Sequence, residues 1–338
     1  MGLWGTGGTS VQHWQGGRGP DNPTNGPRII EKNHAMIEIP VIFWNNHSFR
    51  LGFTCSEEED VKKIPVAVQL YSVREALEKD FFGVLTQIQA MGYSGVEFAG
   101  FYGHSATEVK AFLDKIGLKA VSSHVPLDAL LSDTAGTLAY HKELGCGFIA
   151  VPWLDEPRRP GTPRWPEVVT QVKAIAQACQ TAGIQLLYHN HDFEFTKIDG
   201  RYALDLLYEA VPMPLLATEI DTCWVKVSGV DPAAYLRQYK GRSPVVHLKD
   251  FVKVGDAQGK DLYALIDNSG KDNKTATVDR NSFDFRPLGK GQQDIPAILA
   301  ACVDAGTQWV VVEQDRSTER PPMEAVKISR DYLKTLGL

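Results

Sequence analysis

Four apolar runs in the second half of the chain each stop on a residue that can hold a divalent metal. They read Ile184-Gln185-Leu186-Leu187-Tyr188-His189, Leu215-Leu216-Ala217-Thr218-Glu219-Ile220-Asp221, Pro244-Val245-Val246-His247 and Trp309-Val310-Val311-Val312-Glu313. Each is apolar almost without alternation, the pattern of a strand buried on both faces of a parallel sheet. In a parallel barrel the carboxyl ends of the strands share one face, and that face carries the chemistry. Two imidazoles and two carboxylates are ligands enough for one ion.

From Ile64 onward the chain alternates strand and helix patterns. Strands are expected to begin near Val66, Ser94, Leu118, Phe148, Ile184, Leu215, Pro244 and Gln308. Helical periods fill the gaps over 80–91, 107–116, 127–144, 166–182, 202–210, 232–238, 295–305 and 323–333. A glycine follows a helix and precedes a strand at Gly92, Gly117, Gly145, Gly183 and Gly306, where a left-handed cap is needed. Eight such units predict an α/β chain folded as a (β/α)₈ TIM barrel over 61–338. No G-x-G-x-x-G follows the first strand, which weakens a dinucleotide-binding alternative.

Two stretches break the rhythm. Gly2 to Gly26 is rich in Gly, Pro, Asn and Thr without any period, so 1–60 is expected to be a disordered or non-native extension. The run Glu57-Glu58-Glu59-Asp60 before Val61 also reads as a translated purine-rich ribosome-binding stretch ahead of a GTG start; the nucleotide sequence tests this. The polar stretch 251–287 is longer than most loops in compact domains and is expected to be a lid or binding loop.

Net charge is −6, which argues against a nucleic-acid partner. No apolar stretch reaches membrane-spanning length and no secretory signal is visible. The five cysteines are dispersed, with no C-x-x-C pair, and read as reduced thiols. A cytoplasmic protein is expected, with room for a homo-oligomer.

The strand ends supply the candidate chemistry. His189-Asn190-His191 leads into Asp192-Phe193-Glu194. Asp221 is followed by Thr222-Cys223-Trp224; a buried carboxylate there must be paired or on a metal. His247 and Lys249 share one side of their strand by alternation. Glu313 precedes Gln314-Asp315. Earlier in the chain Glu97 and His124 end strands and Trp153 follows one. Glu97, His124, Trp153, Glu194 and Trp224 are the candidates for contact with a polyhydroxy substrate, Glu97 and His124 equally for supporting metal ligands. Gly289-Lys290-Gly291 is at most weak evidence for a phosphate cradle.

Together Tyr188 to Glu194, Glu219-Ile220-Asp221, Val246 to Asp250, Leu288 to Gly291 and Val312 to Asp315 resemble the sugar phosphate isomerase/epimerase family, part of the xylose isomerase-like barrel superfamily. The resemblance covers about 64–338. It implies one divalent ion on His189, Asp221, His247 and Glu313. It also implies proton removal next to a carbonyl, through an enediolate, by Glu313 or His191, with His191 or Lys249 returning a proton or assisting a leaving hydroxyl. Mixed ligation suits Mn²⁺ first, then Co²⁺, Fe²⁺ or Zn²⁺, and Mg²⁺ least. The chain departs from the family's ketose 3-epimerases: it has His189 where they carry a Glu, and Trp224 where they carry a His. The implied activity is a sugar isomerase or epimerase, with a lyase acting on inososes or 3-keto-glycosides as the alternative. A non-catalytic sugar-binding barrel and a phosphodiesterase like endonuclease IV are the rivals; the latter needs more His and Asp ligands than this chain has.

Overall fold

The computed structural model describes residues 64–253 and 283–338. The expected extension 1–60 and most of the expected loop 251–287 lie outside the described residues. Eight parallel strands close the expected barrel in chain order. They are β1 Val66–Gln69, β2 Gly95–Phe98, β3 Lys119–His124, β4 Phe148–Val151, β5 Gln185–His189, β6 Leu216–Asp221, β7 Val245–Leu248 and β8 Trp309–Val312, with β8 pairing back to β1. Helices cross between them, among them Phe81–Ala90, Ala106–Ile116, Trp165–Ala182 and Ile295–Ala305. The five glycines expected to cap helices all have positive φ, between 75° and 93°.

Strand alternation divides the apolar residues into two cores. Outward residues such as Val68, Val96, Ile149, Leu186, Ile220, Val246 and Val310 pack with the helices. Inward residues Ala67, Val121, Ala150, Leu187, Ala217, Val245 and Val311 fill the barrel interior. Two residues further along the strands the interior turns polar, with Gln69, His189, Glu219, His247 and Glu313, all buried. Two further again come His191, Asp221, Lys249 and Asp315, buried as well. The apolar layer is thus the floor on which two charged layers stand.

Three local features depart from the expectation. The helical period over 127–144 is interrupted at Asp133, whose φ of −147° is not helical. Its side chain accepts a hydrogen bond from Gly136 N at 2.8 Å, starting a new helix Thr134–Leu144; a short carboxylate competes with the backbone and caps rather than continues. Between Val96 and Glu97 the pairing with β3 slips by one residue, which places Ser122 opposite Glu97. The ends of the stretch 251–287 are not loop: Asp250–Lys253 pairs antiparallel with Phe283–Arg286. Phe251, Phe283 and Phe285 from this hairpin pack on Cys223 and Trp224.

Candidate metal centre

The ends of β5 to β8 bring the four expected ligands together. One donor atom from each of His189, Asp221, His247 and Glu313 lies within 4.8 Å of the others. Donors on opposite sides of an ion with bonds of about 2.1 Å stand about 4.2 Å apart, so the quartet is slightly wider than a loaded shell. Asp221 is fixed by its second oxygen: Oδ1 accepts from Cys223 N at 2.8 Å and Trp224 N at 3.1 Å, capping the short helix Thr222–Val227. Its Oδ2 lies 3.0 Å from Lys249 Nζ, while His189 Nδ1 is buried without a hydrogen-bond partner. An orphaned imidazole nitrogen within a mixed imidazole and carboxylate set fits a divalent ion.

A second polar network lies beside the quartet and shares His247 and Glu313 with it. Both ring nitrogens of His247 face carboxylates: Nε2 lies 2.7 Å from Glu97 and Nδ1 3.1 Å from Glu313. His124 Nε2 lies 3.0 Å from Glu97 and 2.7 Å from Glu219. Gln69 donates to Glu97 at 2.6 Å, and Ser122 Oγ donates to its other oxygen. His124, His189, Glu219 and His247 form a second group within metal-holding distance. Both groups are internally paired, His124 with Glu219 and His247 with Glu313; the quartet is the one that draws a ligand from the end of each of β5 to β8.

Lys249 balances the carboxylates. Its Nζ lies 3.0 Å from Asp221, 2.7 Å from Glu313 and 2.9 Å from Asp315, and the side chain is 1% exposed. Burial opposes the ammonium, but these three carboxylates hold it protonated. Burial pushes Glu313 up, but Lys249 and His247 outweigh it and keep the carboxyl well below the usual range. Burial dominates at Asp221, whose pKa is raised, and at Asp315, pushed up to about 6. Burial also holds His189 and His191 well below the ordinary imidazole value, so both are neutral ligands or acceptors. His124 goes the other way, to about 10: burial is outweighed by Glu97 and Glu219.

A cavity of about 700 Å³ opens at this end of the barrel. His124, Trp153, His189, His191, Lys249 and Glu313 line it. Trp153 meets His191 edge to face at 4.6 Å and carries the Arg159 guanidinium at 4.7 Å. The other three residues expected to touch substrate are fully buried and stand behind the wall. Glu97 supports the histidines. Glu194 accepts from Tyr188 Oη at 2.7 Å and His191 N at 2.8 Å, holding the His-Asn-His turn in shape. Trp224 packs beneath His191, with ring centroids 5.3 Å apart. The sequence reading assigned no role to Glu219, Asp315 or Gln69, although each stands two residues from an interior position.

The glycine motif after the hairpin is an anion cradle, but the chain fills it. Asp250 Oδ2 accepts from Gly289 N at 3.0 Å and Gly291 N at 2.9 Å; Oδ1 accepts from Gln293 N at 3.0 Å. A Cβ on Gly291 would lie 2.2 Å from Asp250 Oδ1. The weak sequence hint of a phosphate site is therefore answered by an internal carboxylate.

Known proteins similar to this chain share its barrel fold. The inosose dehydratase of Geobacillus kaustophilus (strain HTA426) is 24% identical over 278 residues, 75% of this chain and 86% of that protein. A crystal structure of a sugar phosphate isomerase/epimerase from Parabacteroides distasonis ATCC 8503 is similar with TM-score 0.63 at 20% identity, over 80% of this chain and 93% of that one. The IolI protein with a zinc atom gives TM-score 0.60 at 14% identity, over 81% of this chain and 98% of that one. The family model for the xylose isomerase-like TIM barrel matches residues 85–336, and the chain belongs to that family.

Proposed function

We propose that this protein is a divalent-metal-dependent enzyme acting on a small polyhydroxy ketone, removing a proton next to its carbonyl and then expelling a neighbouring hydroxyl as water. One observation carries the reading. A carboxylate and an ammonium, Glu313 and Lys249, stand 2.7 Å apart on the same cavity wall, beside the quartet suited to a cation. His189, Asp221, His247 and Glu313 would hold the ion. Lys249 keeps Glu313 ionised but weakly basic, so acidity must come from the other side: a bound divalent ion supplies Lewis-acid stabilisation for charge developing on the carbonyl oxygen.

The residues then act in turn. Glu313 accepts the proton from carbon. As the neighbouring C–O bond breaks, the departing oxygen takes a proton from Lys249 Nζ and leaves as water. Glu313 returns its proton to the lysine across their 2.7 Å contact, restoring both groups. Neutral His191, on the rim against Trp153, orients a substrate hydroxyl as acceptor. Acid and base on one wall suit elimination from one face of a ring; a two-base inversion needs a base on the opposite face. The relative named inosose dehydratase supports the same choice. Isomerisation is the second reading, because a same-face pair can also return the proton to the adjacent carbon.

The test is incubation of Mn²⁺-loaded protein with inososes, ketoses and 3-keto-glycosides in D₂O, followed by NMR. Loss of water from one substrate, with solvent deuterium at the carbon next to its carbonyl, is expected. Deuterium without loss of water would leave isomerisation. A protein that binds no stoichiometric metal and exchanges no carbon-bound proton would end the proposal.

A further inference from the structure

The cavity continues beyond the metal-facing wall. On the β2–β4 side it runs over Phe101, Pro126 and the helix Thr134–Leu144, which contributes Thr137, Tyr140 and His141. This annex is walled by the helix that Asp133 caps. Its walls are aromatic: Phe101 lies 4.4 Å from Tyr140 and 5.5 Å from His141, centroid to centroid. At about 30 Å³ per water, about 700 Å³ admits roughly twenty non-hydrogen atoms, whereas a single hexose or inosose ring has about twelve.

One polar atom in the annex lacks a partner. His141 is 3% exposed, and its Nδ1 lies 2.7 Å from Thr137 O, so Nδ1 carries the hydrogen. Nε2 is then an acceptor, and it has no hydrogen-bond partner. Burial holds the ring's pKa down, which keeps that lone pair free. Ser123 Oγ, also on the cavity wall, is buried without a partner too. A buried polar atom left unpaired is costly, and a ligand that satisfies it gains affinity.

The geometry points to a second subsite: the annex receives an aromatic or other flat apolar group attached to the substrate ring, and His141 Nε2 accepts a hydrogen bond from a hydroxyl on that group. This rests on the proposed function for the position of the ring, at the quartet end. The substrate class it names is a ring bearing an aglycone rather than a bare monosaccharide or cyclitol.

Binding to the full-length, Mn²⁺-loaded protein tests it, with methyl, phenyl and 4-hydroxyphenyl β-D-glucopyranoside as probes. Phenyl glucoside is expected to bind at least about tenfold more tightly than methyl glucoside, as an aromatic ring buried from water would. Thr137→Trp, which fills the annex, should collapse that ratio while metal content stays the same. His141→Leu should remove the further gain, about threefold to tenfold, that the 4-hydroxyl brings, and leave phenyl glucoside little changed. Equal binding of the methyl and phenyl glucosides to the unaltered protein overturns the subsite. If Thr137→Trp does not fold, saturation-transfer NMR on the unaltered protein decides instead: phenyl protons no more saturated than the anomeric proton overturn it. A protein that exchanges deuterium into a bare inosose yet binds the glucosides alike keeps the proposed function and loses the subsite. One that prefers phenyl glucoside but neither holds metal nor exchanges protons keeps the subsite and loses the function.

Discussion

Lys249→Met tests whether the ammonium is what keeps the carboxylates of the barrel mouth together. Methionine nearly preserves volume but removes the charge. Asp221, Glu313 and Asp315 would then stand buried with no ammonium at 3.0, 2.7 and 2.9 Å. Breaking a buried ion pair by removing one partner costs about 3–5 kcal/mol. At roughly 2–4 °C per kcal/mol for a domain of this size, the melting temperature of chelator-treated protein should fall by about 6–20 °C at pH 8. The sign with pH follows from proton linkage. Without Lys249 the pKa values of Asp221 and Asp315, already raised by burial, move up further, so between the unfolded value near 4 and the raised values the native state binds more protons than the unfolded state. Stability of the variant therefore falls as pH rises through that window, and the deficit against the unaltered protein should be smaller at pH 5.5 than at pH 8. Scanning fluorimetry at both pH values measures it. A variant melting with the unaltered protein at pH 8 in chelator would refute the balancing role of Lys249.

Two further outcomes are expected. His247→Ala and Glu313→Ala should each lose stoichiometric Mn²⁺ by elemental analysis, and turnover with it, while circular dichroism stays native; full activity in metal-free Glu313→Ala would contradict the quartet. Asp250→Ala should cost about 3 kcal/mol, because the amides of Phe251, Gly289, Gly291 and Gln293 all lose an acceptor. Amide hydrogen exchange should quicken at 288–293, and unchanged protection there would show that the carboxylate does not hold the loop.

The barrel was legible because its signals are local. A strand buried on both faces reads as an apolar run whatever its neighbours, and Gly92, Gly117, Gly145, Gly183 and Gly306 mark the helix ends by backbone conformation alone. The quartet was legible for a related reason: it stands at matching ends of strands whose limits were already visible. What escaped depends on contacts between distant parts. Glu97 reads equally as a substrate contact or as support for metal ligands, and only the slip against β3 and the nearness of Gln69, His124 and His247 favour support. The glycine loop 289–291 is only weak evidence for an anion site in sequence, and what fills it, Asp250, lies about forty residues earlier. Asp133 sits inside the expected helical stretch 127–144, and its side chain caps a new helix there by accepting from Gly136 N.

The charge count of the polar layers bears on how an ion would enter. Glu97, Glu219, Asp221, Glu313 and Asp315 are all buried, and Lys249 is the only lysine or arginine paired with them among the described residues. The remaining positive charge comes from imidazoles. His247 is held protonated because Glu97, Glu219 and Glu313, together outweighing burial, surround it. A protonated imidazole is not a ligand, so a cation entering the quartet must displace that proton. Binding should release about one proton at pH 7, and apparent affinity should rise with pH, by up to about tenfold per unit below the folded pKa of His247. Calorimetric titration of apo protein with Mn²⁺, in buffers of different ionisation enthalpy, reads the number directly. Zero release, with an affinity indifferent to pH, would mean that the ion binds without His247, and the ligand set would have to be drawn again from Asp221, Glu313 and their neighbours.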